Sequence, residues 1–547
     1  MNNHIEKVNK KVDAALILAS GMGLRMAPLT YDTPKCMLMV NGERLIERQI
    51  NQLKEKNINE IIIMVGYLKE RFKYLTDKYN VKLIYNDEYN SKNTLSTLYK
   101  AIPYIKNKNL YISVADIYLA ENIYNEYEKE THFKGKYIKE QNNEWPCTLD
   151  ENDRIIKIEM SGKDSYCMVG IAYFDKNDTP KLFSYCDKYY HQKGTEKWYW
   201  EEIIDRHLFE FEDYKMYKLP EGAFNEFDTF NELKAYTNDK TKYGSTALSF
   251  VADAFNVDES CIENITLESK GMTNRSYIFN INGNNKKYIA RVPGVGTGEY
   301  VDRENESEAL LALQDKNITE KIYYINKKTG YKIAEYYENV KVIDSSNEND
   351  LHIAMNALKK LHDTNIKVKS KNSIPDLIHR YENLITKYKL ENKLQNFNDM
   401  KNKIINLSKY VKELNRPISF CHGDANPNNM LKLKDRVLLI DFEYATMSDP
   451  LIDIALFGDY EGFEVEKTLK LYDIYKNIDI NNKFFDNLND KNKKLLFLSY
   501  IALAAAYGAF WAIVNEYLSK LEFKEYTNNQ LNIFNDAYNK FLEVKKC

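Results

Sequence analysis

The sequence has no excess charge of either sign, no closely spaced cysteine pair and no apolar run of membrane-spanning length. Basic and acidic residues number 77 and 80, giving a net charge of -3, which excludes a broad basic surface for nucleic acid or anionic lipid. The seven cysteines are scattered and form no CxxC pair, so they indicate reduced thiols and not a disulfide framework or zinc site. Any polyanion bound by this protein is expected to be small and locally held.

The hydrophobic segments predict neither a membrane anchor nor a leader. The longest apolar stretch, at 500–514, is shorter than the roughly 20 residues that a spanning helix needs, so we interpret it as a buried helix and expect no stable membrane insertion. The N-terminal segment MNNHIEKVNKKVDAALILAS has only a short apolar run and lacks the pattern of a signal peptide. We expect a cytoplasmic protein.

The order of local patterns predicts at least two domains, since 547 residues exceed one hydrophobic core. From residue 13 to about 115, short β-rich runs alternate with helical segments, which predicts a parallel sheet covered by helices. The polar segment TNDKTKYGST is the expected linker. We therefore predict an α/β domain over 1–236, a linker over 237–246, and an α+β domain over 247–547, with a small sheet lobe preceding a helical lobe.

The segment CHGDANPNNM, at 421–430, has the layout of a phosphotransfer loop. Phosphoryl transfer needs a carboxylate near the attacking hydroxyl and metal ligands near the nucleotide phosphates. Asp424 is the candidate catalytic carboxylate, and Asn429 with Asp441, at the end of the apolar run VLLID, are candidate Mg²⁺ ligands. HGD alone fits a capped turn equally well, so the prediction depends on the whole set.

Upstream segments supply candidate nucleotide-binding groups. Arg291 lies in the strand-like run YIARV, and the helical segment DRENESEALLAL offers Glu306 or Glu304 to pair with it. The segment SKGMTNRSY, containing Gly271 and Asn274, could cover the phosphates. No GxxxxGK[ST] motif occurs, which excludes a Walker-type loop.

Together, FCHGDANPNNML, LLIDFEYA and DPLIDIA resemble the choline/ethanolamine kinase branch of the aminoglycoside phosphotransferase-like family, over roughly 260–547. The resemblance implies a protein-kinase-like fold, ATP and choline as substrates, and Arg291 in place of the usual lysine. It also implies that aromatic residues of GAFWAIV and EFKEY line the choline pocket, which designates Trp511 and, more weakly, Tyr507 and Tyr526. Ordinary helix packing is the alternative for Trp511.

A second phosphate-handling segment, LASGMGLRMAPLTYDTPK, lies at 18–35. Gly21 and Gly23 let backbone N–H groups approach phosphates, and Arg25 and Lys35 bring positive charge to a triphosphate. The whole string resembles the signature of nucleotidyltransferases, a family with a Rossmann-like fold and a mostly parallel sheet. By that resemblance Asp116, in YISVADIYL, and Asp228, in NEFDTF, are the expected metal ligands; strand-end carboxylates facing water are the alternative.

More narrowly, residues 13–236 resemble the bacterial CTP:phosphocholine cytidylyltransferases through NDEYNSKNTLSTLY, NEW and WYWEEII. The resemblance implies an aromatic cage for a quaternary ammonium formed by Trp145, Tyr199 and Trp200, with Glu201 where the family usually has an aspartate. Leu24 stands where the family has a small hydroxyl residue. Simple packing is the alternative for the aromatic residues.

The two resemblances together predict a bifunctional enzyme that converts choline and ATP to phosphocholine, then phosphocholine and CTP to CDP-choline and pyrophosphate, with Mg²⁺ in both sites. One rival is a sugar or other amino-alcohol kinase joined to a sugar-1-phosphate or phosphoethanolamine nucleotidyltransferase. Another is a non-catalytic nucleotide-binding scaffold, which the intact candidate residues disfavour. The sequence leaves the oligomeric state open, a homodimer included.

Overall fold

The computed structural model describes residues 9–211, 214–237, 242–268, 274–294, 301–370, 372–394, 396–478, 488–519 and 522–546. The chain forms two compact units, Met1–Glu263 and Asn264–Cys547. The division falls after Glu263 and not within the predicted linker 237–246, because the helix that follows this segment packs on the first unit.

The first unit alternates strands with helices, as its sequence pattern predicts. Its strands are β1 (Lys10–Lys11), β2 (Ala14–Ala19), β3 (Met39–Val40), β4 (Glu43–Arg44), β5 (Glu60–Val65), β6 (Lys82–Tyr85), β7 (Leu110–Val114), β8 (Ile117–Leu119), β9 (Tyr127–Glu128), β10 (His132–Ile138), β11 (Pro146–Leu149), β12 (Ile155–Ile158), β13 (Ser165–Phe174), β14 (Lys215–Lys218) and β15 (Phe224–Glu226). Its helices are α1 (Leu45–Glu55), α2 (Lys73–Tyr79), α3 (Thr94–Ile105), α4 (Thr179–Tyr190), α5 (Glu201–His207), α6 (Phe230–Tyr236) and α7 (Thr246–Phe255).

The main sheet of this unit has the order β12-β11-β13-β7-β2-β5-β6, with β10 and β14 joined beside β13. Strands β7, β2, β5 and β6 are parallel, whereas β13 is antiparallel to β7. Alternate residues of β2 enter two different hydrophobic cores: Leu16 packs on one face of the sheet and Ile17 on the other. This burial on both faces explains the uninterrupted apolar run AALILA, and the predicted α/β fold is confirmed.

The second unit has an antiparallel sheet followed by a helical lobe. Its strands are β16 (Ile262–Glu268), which begins just before the division, β17 (Asn274–Ile281), β18 (Lys287–Pro293), β19 (Ile322–Ile325), β20 (Lys332–Glu335), β21 (Lys341–Val342), β22 (Ser419–Cys421), β23 (Met430–Lys432), β24 (Val437–Leu439) and β25 (Thr446–Ser448). Its helices are α8 (Arg303–Leu313), α9 (Glu348–His362), α10 (Ile374–Lys387), α11 (Phe397–Glu413), α12 (Leu451–Tyr460), α13 (Val465–Ile478), α14 (Asp490–Ser519) and α15 (Lys524–Lys546).

Helix α14 is the centre of the helical lobe and contacts α10, α11, α12, α13 and α15. It is long and apolar enough to span a membrane, but most of its apolar surface is buried inside the protein. Small residues such as Ala502 and Ala506 are fully buried on it, which lets the neighbouring helices approach closely. The predicted sheet-then-helix order of an α+β domain is confirmed.

Candidate functional sites

In the first unit, a lysine surrounded by carboxylates lies beyond the carboxyl end of β7. Lys35 Nζ is 2.8 Å from Asp116 Oδ2, 3.7 Å from Glu226 Oε1 and 3.7 Å from Asp228 Oδ1. Arg25 Nη1 donates a hydrogen bond to Asp228 Oδ2 at 2.8 Å. Burial opposes the charge on Lys35, but the carboxylates outweigh it and raise the pKa of this lysine. Four residues predicted from distant segments are therefore brought together.

Close packing of the glycine-rich turn places these cations. Gly23 has a positive φ of 60°, and a Cβ there would lie 2.9 Å from Lys35 Cβ, so the turn excludes larger residues. Thr30 Oγ1 donates to the carbonyl of Gly23 at 2.9 Å, which ties the turn to the segment that follows. A Cβ on Gly21 would meet no atom within 4 Å, so packing within the protein does not require glycine there.

Two local features place the acidic side of the site. Strand β15 pairs with β8 so that Glu226 lies opposite Ile117, the residue after Asp116. A capping box between Thr229 and Glu232 begins α6, and it fixes the backbone next to Asp228. Partial desolvation, together with the Asp116 charge, raises the pKa of Glu226. Sequence reasoning missed Glu226, although its spacing of two from Asp228 in a short strand was an available signal.

Part of the predicted aromatic cage is present nearby. The rings of Trp145 and Tyr199 are edge-to-face with centroids 6.1 Å apart, and Tyr199 is exposed. Trp145 has a positive φ of 52°, a costly conformation for a bulky residue that is found preferentially at functional sites. The charge of Glu144, the residue before Trp145, is a small contribution to the raised pKa of Glu226.

Glu201 is the buried acidic group next to this pair. It is 6% exposed, and its Oε2 has no hydrogen-bond partner within the described parts of the chain. Burial raises its pKa to about 8. A buried carboxylate is stabilised in its charged form only by an opposite charge or hydrogen bonds, so this side chain can accept a cationic group.

Trp200 does not lie in the aromatic cage that the sequence suggested. Its side chain is 0% exposed and packs parallel to Phe133 and edge-to-face against Phe174, with centroids 5.9 Å and 6.1 Å away. Trp200 directly precedes α5, where adjacent residues face different directions, so Tyr199 faces solvent and Trp200 faces the sheet. Trp200 is a core residue in this structure, as the alternative reading held.

In the second unit, the predicted catalytic loop forms one hydrogen-bonded cluster. Asn429 Nδ2 donates to Asp424 Oδ2 at 2.8 Å and to the Asp424 carbonyl at 3.0 Å. The Ile440 N–H donates to the Asn429 carbonyl at 2.9 Å, which brings Asp441 beside Asn429. Burial, and to a lesser degree the charge of Asp441, raises the pKa of Asp424 above its ordinary value.

A buried carboxylate on α12 holds the backbone of this loop. The N–H groups of His422 and Gly423 donate to Asp453 Oδ2 and Oδ1 at 2.8 Å and 2.9 Å. Gly423 has a φ of 78°, and a Cβ there would lie 2.1 Å from the carbonyl oxygen of Tyr444, so only glycine fits. The geometry of HGD therefore follows from close backbone packing and not from capping alone.

The candidate nucleotide-binding groups form a buried ion network. Arg291 Nη1 is 2.5 Å from Glu306 Oε1 and 3.3 Å from Asp441 Oδ1. Burial alone would raise the pKa of Glu306, but the Arg291 charge outweighs this and lowers it. Glu304 is exposed and pairs with Lys327, so Glu306 is the partner of Arg291. Asn274 lies beside Arg303, and Gly271 lies outside the described residues.

The predicted aromatic residues of the helical lobe pack against other aromatic side chains. The Trp511 ring is 5.3 Å from Phe523 and 6.2 Å from Tyr526. Tyr507 packs edge-to-face against Tyr444. Burial raises the pKa values of Tyr507 and Tyr526, and the charge of Asp424 is a smaller contribution to both.

Asp459 adds an acidic group that sequence reasoning missed. Its Oδ1 is buried and accepts no hydrogen bond from the residues described here, and burial raises its pKa to about 7. Its charge also contributes to the raised pKa of Tyr526. The available signal was an acid in the otherwise apolar end of helix LIDIALFGDY.

Both sites contain the oxygen donors that Mg²⁺ prefers. Asp116 and Asp228 converge on one side of Lys35, and Asn429 and Asp441 flank Asp424. In each cluster the charge of neighbouring carboxylates raises the pKa of an acid beside them. A bound divalent cation would reduce this repulsion between negative charges. The residues present therefore fit the metal.

Comparisons with known proteins match two parts of the chain to two different families. Residues 265–535 match the choline/ethanolamine kinase family, and residues 15–132 match the MobA-like NTP transferase domain. The first unit is 34% identical over 236 residues to a 2-aminoethylphosphonate cytidylyltransferase of Lancefieldella rimae, covering 43% of this chain and 94% of that protein. It is 35% identical over 221 residues to a choline-phosphate cytidylyltransferase of Streptococcus pneumoniae, covering 40% of this chain and 95% of that protein.

A solved structure also resembles the second unit. A choline kinase, LicA, from Streptococcus pneumoniae aligns with a TM-score of 0.44 and 22% identity, covering 52% of this chain and 94% of that one. Both matched families are families of transferases.

Proposed function

We propose that this chain makes CDP-choline in two consecutive steps. Its N-terminal part belongs to the nucleotidyltransferases, as a homologue of choline-phosphate cytidylyltransferases. Its C-terminal part belongs to the choline/ethanolamine kinases. The observation that carries the proposal is the presence of two separate, complete clusters, one around Lys35 and one around Asp424. The product of the second cluster is the substrate of the first, which gives the fusion a chemical reason.

In the kinase step, the choline oxygen attacks the γ-phosphorus of ATP, the bond from that phosphorus to the bridging oxygen breaks, and ADP leaves. Asp424 receives the hydroxyl proton, and its raised pKa suits a proton acceptor. Asn429 holds this carboxylate in position. Arg291, buried and fixed by Glu306, is directed to the nucleotide phosphates.

In the transfer step, a phosphate oxygen of phosphocholine attacks the α-phosphorus of CTP and pyrophosphate leaves. Arg25 and Lys35 face the charge that develops on the leaving group, and the carboxylates keep Lys35 protonated. Mg²⁺, which both families generally use, would be held by Asp116 and Asp228 here and by Asn429 and Asp441 in the kinase, where it neutralises phosphate charge. A cytoplasmic location fits the use of ATP and CTP.

The trimethylammonium group is assigned to ring faces and buried carboxylates. A quaternary ammonium has no N–H donor, so it is recognised by aromatic faces and by charge. Trp145, Tyr199 and Glu201 offer these in the first unit; Trp511, Tyr526 and Asp459 offer them in the second. Trp200 is left out of the assignment because it is buried in the core.

A second candidate substrate for the first unit is 2-aminoethylphosphonate, favoured by 34% identity to a protein named for it. The test is to supply CTP with phosphocholine, phosphoethanolamine or 2-aminoethylphosphonate separately, and ATP with choline, ethanolamine or a hexose. The proposal expects kcat/KM to be highest for phosphocholine and choline. Exclusive use of the phosphonate would replace phosphocholine as the substrate of the cytidylyl-transfer step, and exclusive use of a hexose would refute the choline kinase assignment.

A further inference from the structure

The segment that joins the two enzymes packs directly on the signature loop, defined here as residues 21–39, which contains Arg25 and Lys35. The backbone N–H of Met39 donates to the carbonyl of Tyr243 at 2.9 Å. Ser245 Oγ lies 2.9 Å from the carbonyl oxygen of Leu29 and 3.2 Å from Asp32 Oδ1. Residues 243–245 thus contact the loop at its middle and at its end.

The Ser245 side chain bonds to the signature loop and does not cap its own helix. It is the N-cap residue of α7, yet its side chain makes no cap hydrogen bond, whereas N-cap serines ordinarily accept a bond from the helix N-terminus. The side chain is 1% exposed, so the hydroxyl is committed to the loop. Buried hydroxyl groups are normally hydrogen-bonded, and the partners of this one are both in the signature loop.

The segment is itself held firmly on the first unit. Glu259, which is 3% exposed, accepts a hydrogen bond from the Tyr243 N–H at 2.8 Å. The Tyr243 ring is fully buried and packs edge-to-face on Phe230 with centroids 5.0 Å apart. Gly244 has a φ of 80°, and a Cβ there would lie 2.9 Å from Met39 Cγ. Residues 243–245 are therefore packed specifically against the first unit and are not an unpacked linker.

The loop is therefore supported from two sides. Tyr67 Oη donates to the carbonyl of Thr30 at 2.8 Å from the sheet side, and Ser245 donates from the α7 side. Lys35 lies between the supports at Leu29 and Met39, whereas Arg25 precedes them and is tied to them by the hydrogen bond from Thr30 Oγ1 to the Gly23 carbonyl. A loop fixed at Leu29 and Met39 has little freedom to move Lys35, which lies between them.

We propose that residues 243–263 are a positioning element of the cytidylyltransferase, in which Ser245 fixes the signature loop so that Arg25 and Lys35 meet the CTP triphosphate. Ser245 touches neither substrate and acts through the loop. The proposal rests on the proposed transfer activity of the first unit. It goes beyond that activity because it gives residues 243–263 a role in the cytidylyltransferase site.

The test uses the full chain with Ser245→Ala and Ser245→Gly. Glycine is tolerated at an N-cap far better than alanine, so a capping role would spare the glycine variant, whereas loop positioning predicts equal effects. We expect the Kd and KM for CTP to rise three- to tenfold in both variants, while kcat changes less than twofold. Choline phosphorylation should be unchanged, and amide exchange of residues 26–39 should be faster. Ser249→Ala, on the same helix, is the matched control, and Ser245→Thr should restore CTP affinity.

Calorimetric titration with CTP alone separates this inference from the proposed function. A wild type that binds CTP but does not convert phosphocholine would refute the transfer step, while the Ser245 variants would still test positioning through Kd. Unchanged CTP affinity in both variants would overturn the inference, as would a loss in Ser245→Ala that Ser245→Gly does not share.

Discussion

Asn429 donates its side-chain amide to the carboxylate of Asp424, with Nδ2 and Oδ2 2.8 Å apart. The bond fixes the orientation of the carboxylate that we propose receives the choline proton. It also leaves the amide oxygen of Asn429 available for Mg²⁺, so a single contact joins the proton-transfer and metal roles of the loop.

Asp424→Asn removes the proton acceptor without changing side-chain size. Choline phosphorylation should fall by about 10²–10⁴-fold, the range for losing a positioned general base, while CDP-choline formation from supplied phosphocholine stays within a few-fold. Coupled assays of ADP and pyrophosphate release measure the two steps separately. If a folded variant loses both activities, the two-site account is wrong.

Asp116→Ala should have the reverse effect. Lys35 Nζ is 2.8 Å from Asp116 Oδ2, so the change removes the proposed metal ligand and the nearest counter-ion of Lys35. CTP turnover should fall by at least ~100-fold, with kinase activity preserved. Asp87→Ala, which removes a surface carboxylate paired with Lys100, is the control. Near-normal CTP turnover in Asp116→Ala would exclude this residue from the site.

The tryptophans should separate into recognition and core residues. Trp511→Ala and Trp145→Ala should each raise KM for the choline substrate of their own unit about three- to thirtyfold, because each ring contributes about 0.5–2 kcal/mol to a desolvated cation. Their preference for choline over ethanolamine compounds should fall. Full preference in both variants would return these rings to simple packing.

Trp200→Ala should act on stability, since its side chain is fully buried between aromatic neighbours. Truncation of a core tryptophan costs about 3–5 kcal/mol, measured by denaturant unfolding of the first unit's transition. Trp200→Phe is the milder variant, and it should retain the head-group preference. A selective loss of phosphocholine preference in Trp200→Phe, with stability unchanged, would contradict the core assignment.

Choline binding to the kinase should depend on pH through Asp459, whose pKa burial raises to about 7. Choline carries a fixed charge and favours the ionised carboxylate, so the Kd is constant well above pH 7 and rises as the pH falls through 7. Tyr526 and Tyr460 face this region with raised pKa values and stay neutral throughout. Titration without nucleotide, from pH 5.5 to 8.5, avoids effects on the chemical step.

Asp459→Asn is the control for this pH dependence. It should bind choline more weakly with a Kd that no longer changes with pH. A flat profile in the wild type, or an unchanged slope in Asp459→Asn, would remove Asp459 from the choline pocket.

The sequence predicts those parts of the sites that depend on strand ends and contiguous motifs. Asp116 follows β7 and Asp441 follows β24, and parallel or paired strands place such residues at one edge. It could not decide which of two adjacent side chains faces the core, so Tyr199 and Trp200 were grouped together. The polar composition of residues 237–246 predicts a linker but does not specify the unit on which the helix after it packs, and only burial distinguishes Glu306 from Glu304.

The most direct test of the account is one incubation of the intact protein with deuterated choline, ATP, CTP and Mg²⁺, followed over time by mass spectrometry. We predict deuterated phosphocholine first, then deuterated CDP-choline, with one ADP and one pyrophosphate released for each CDP-choline. Omission of ATP should prevent both products, and omission of CTP should leave phosphocholine. Unlabelled or absent CDP-choline in the complete mixture, from protein that binds both nucleotides, would contradict the account.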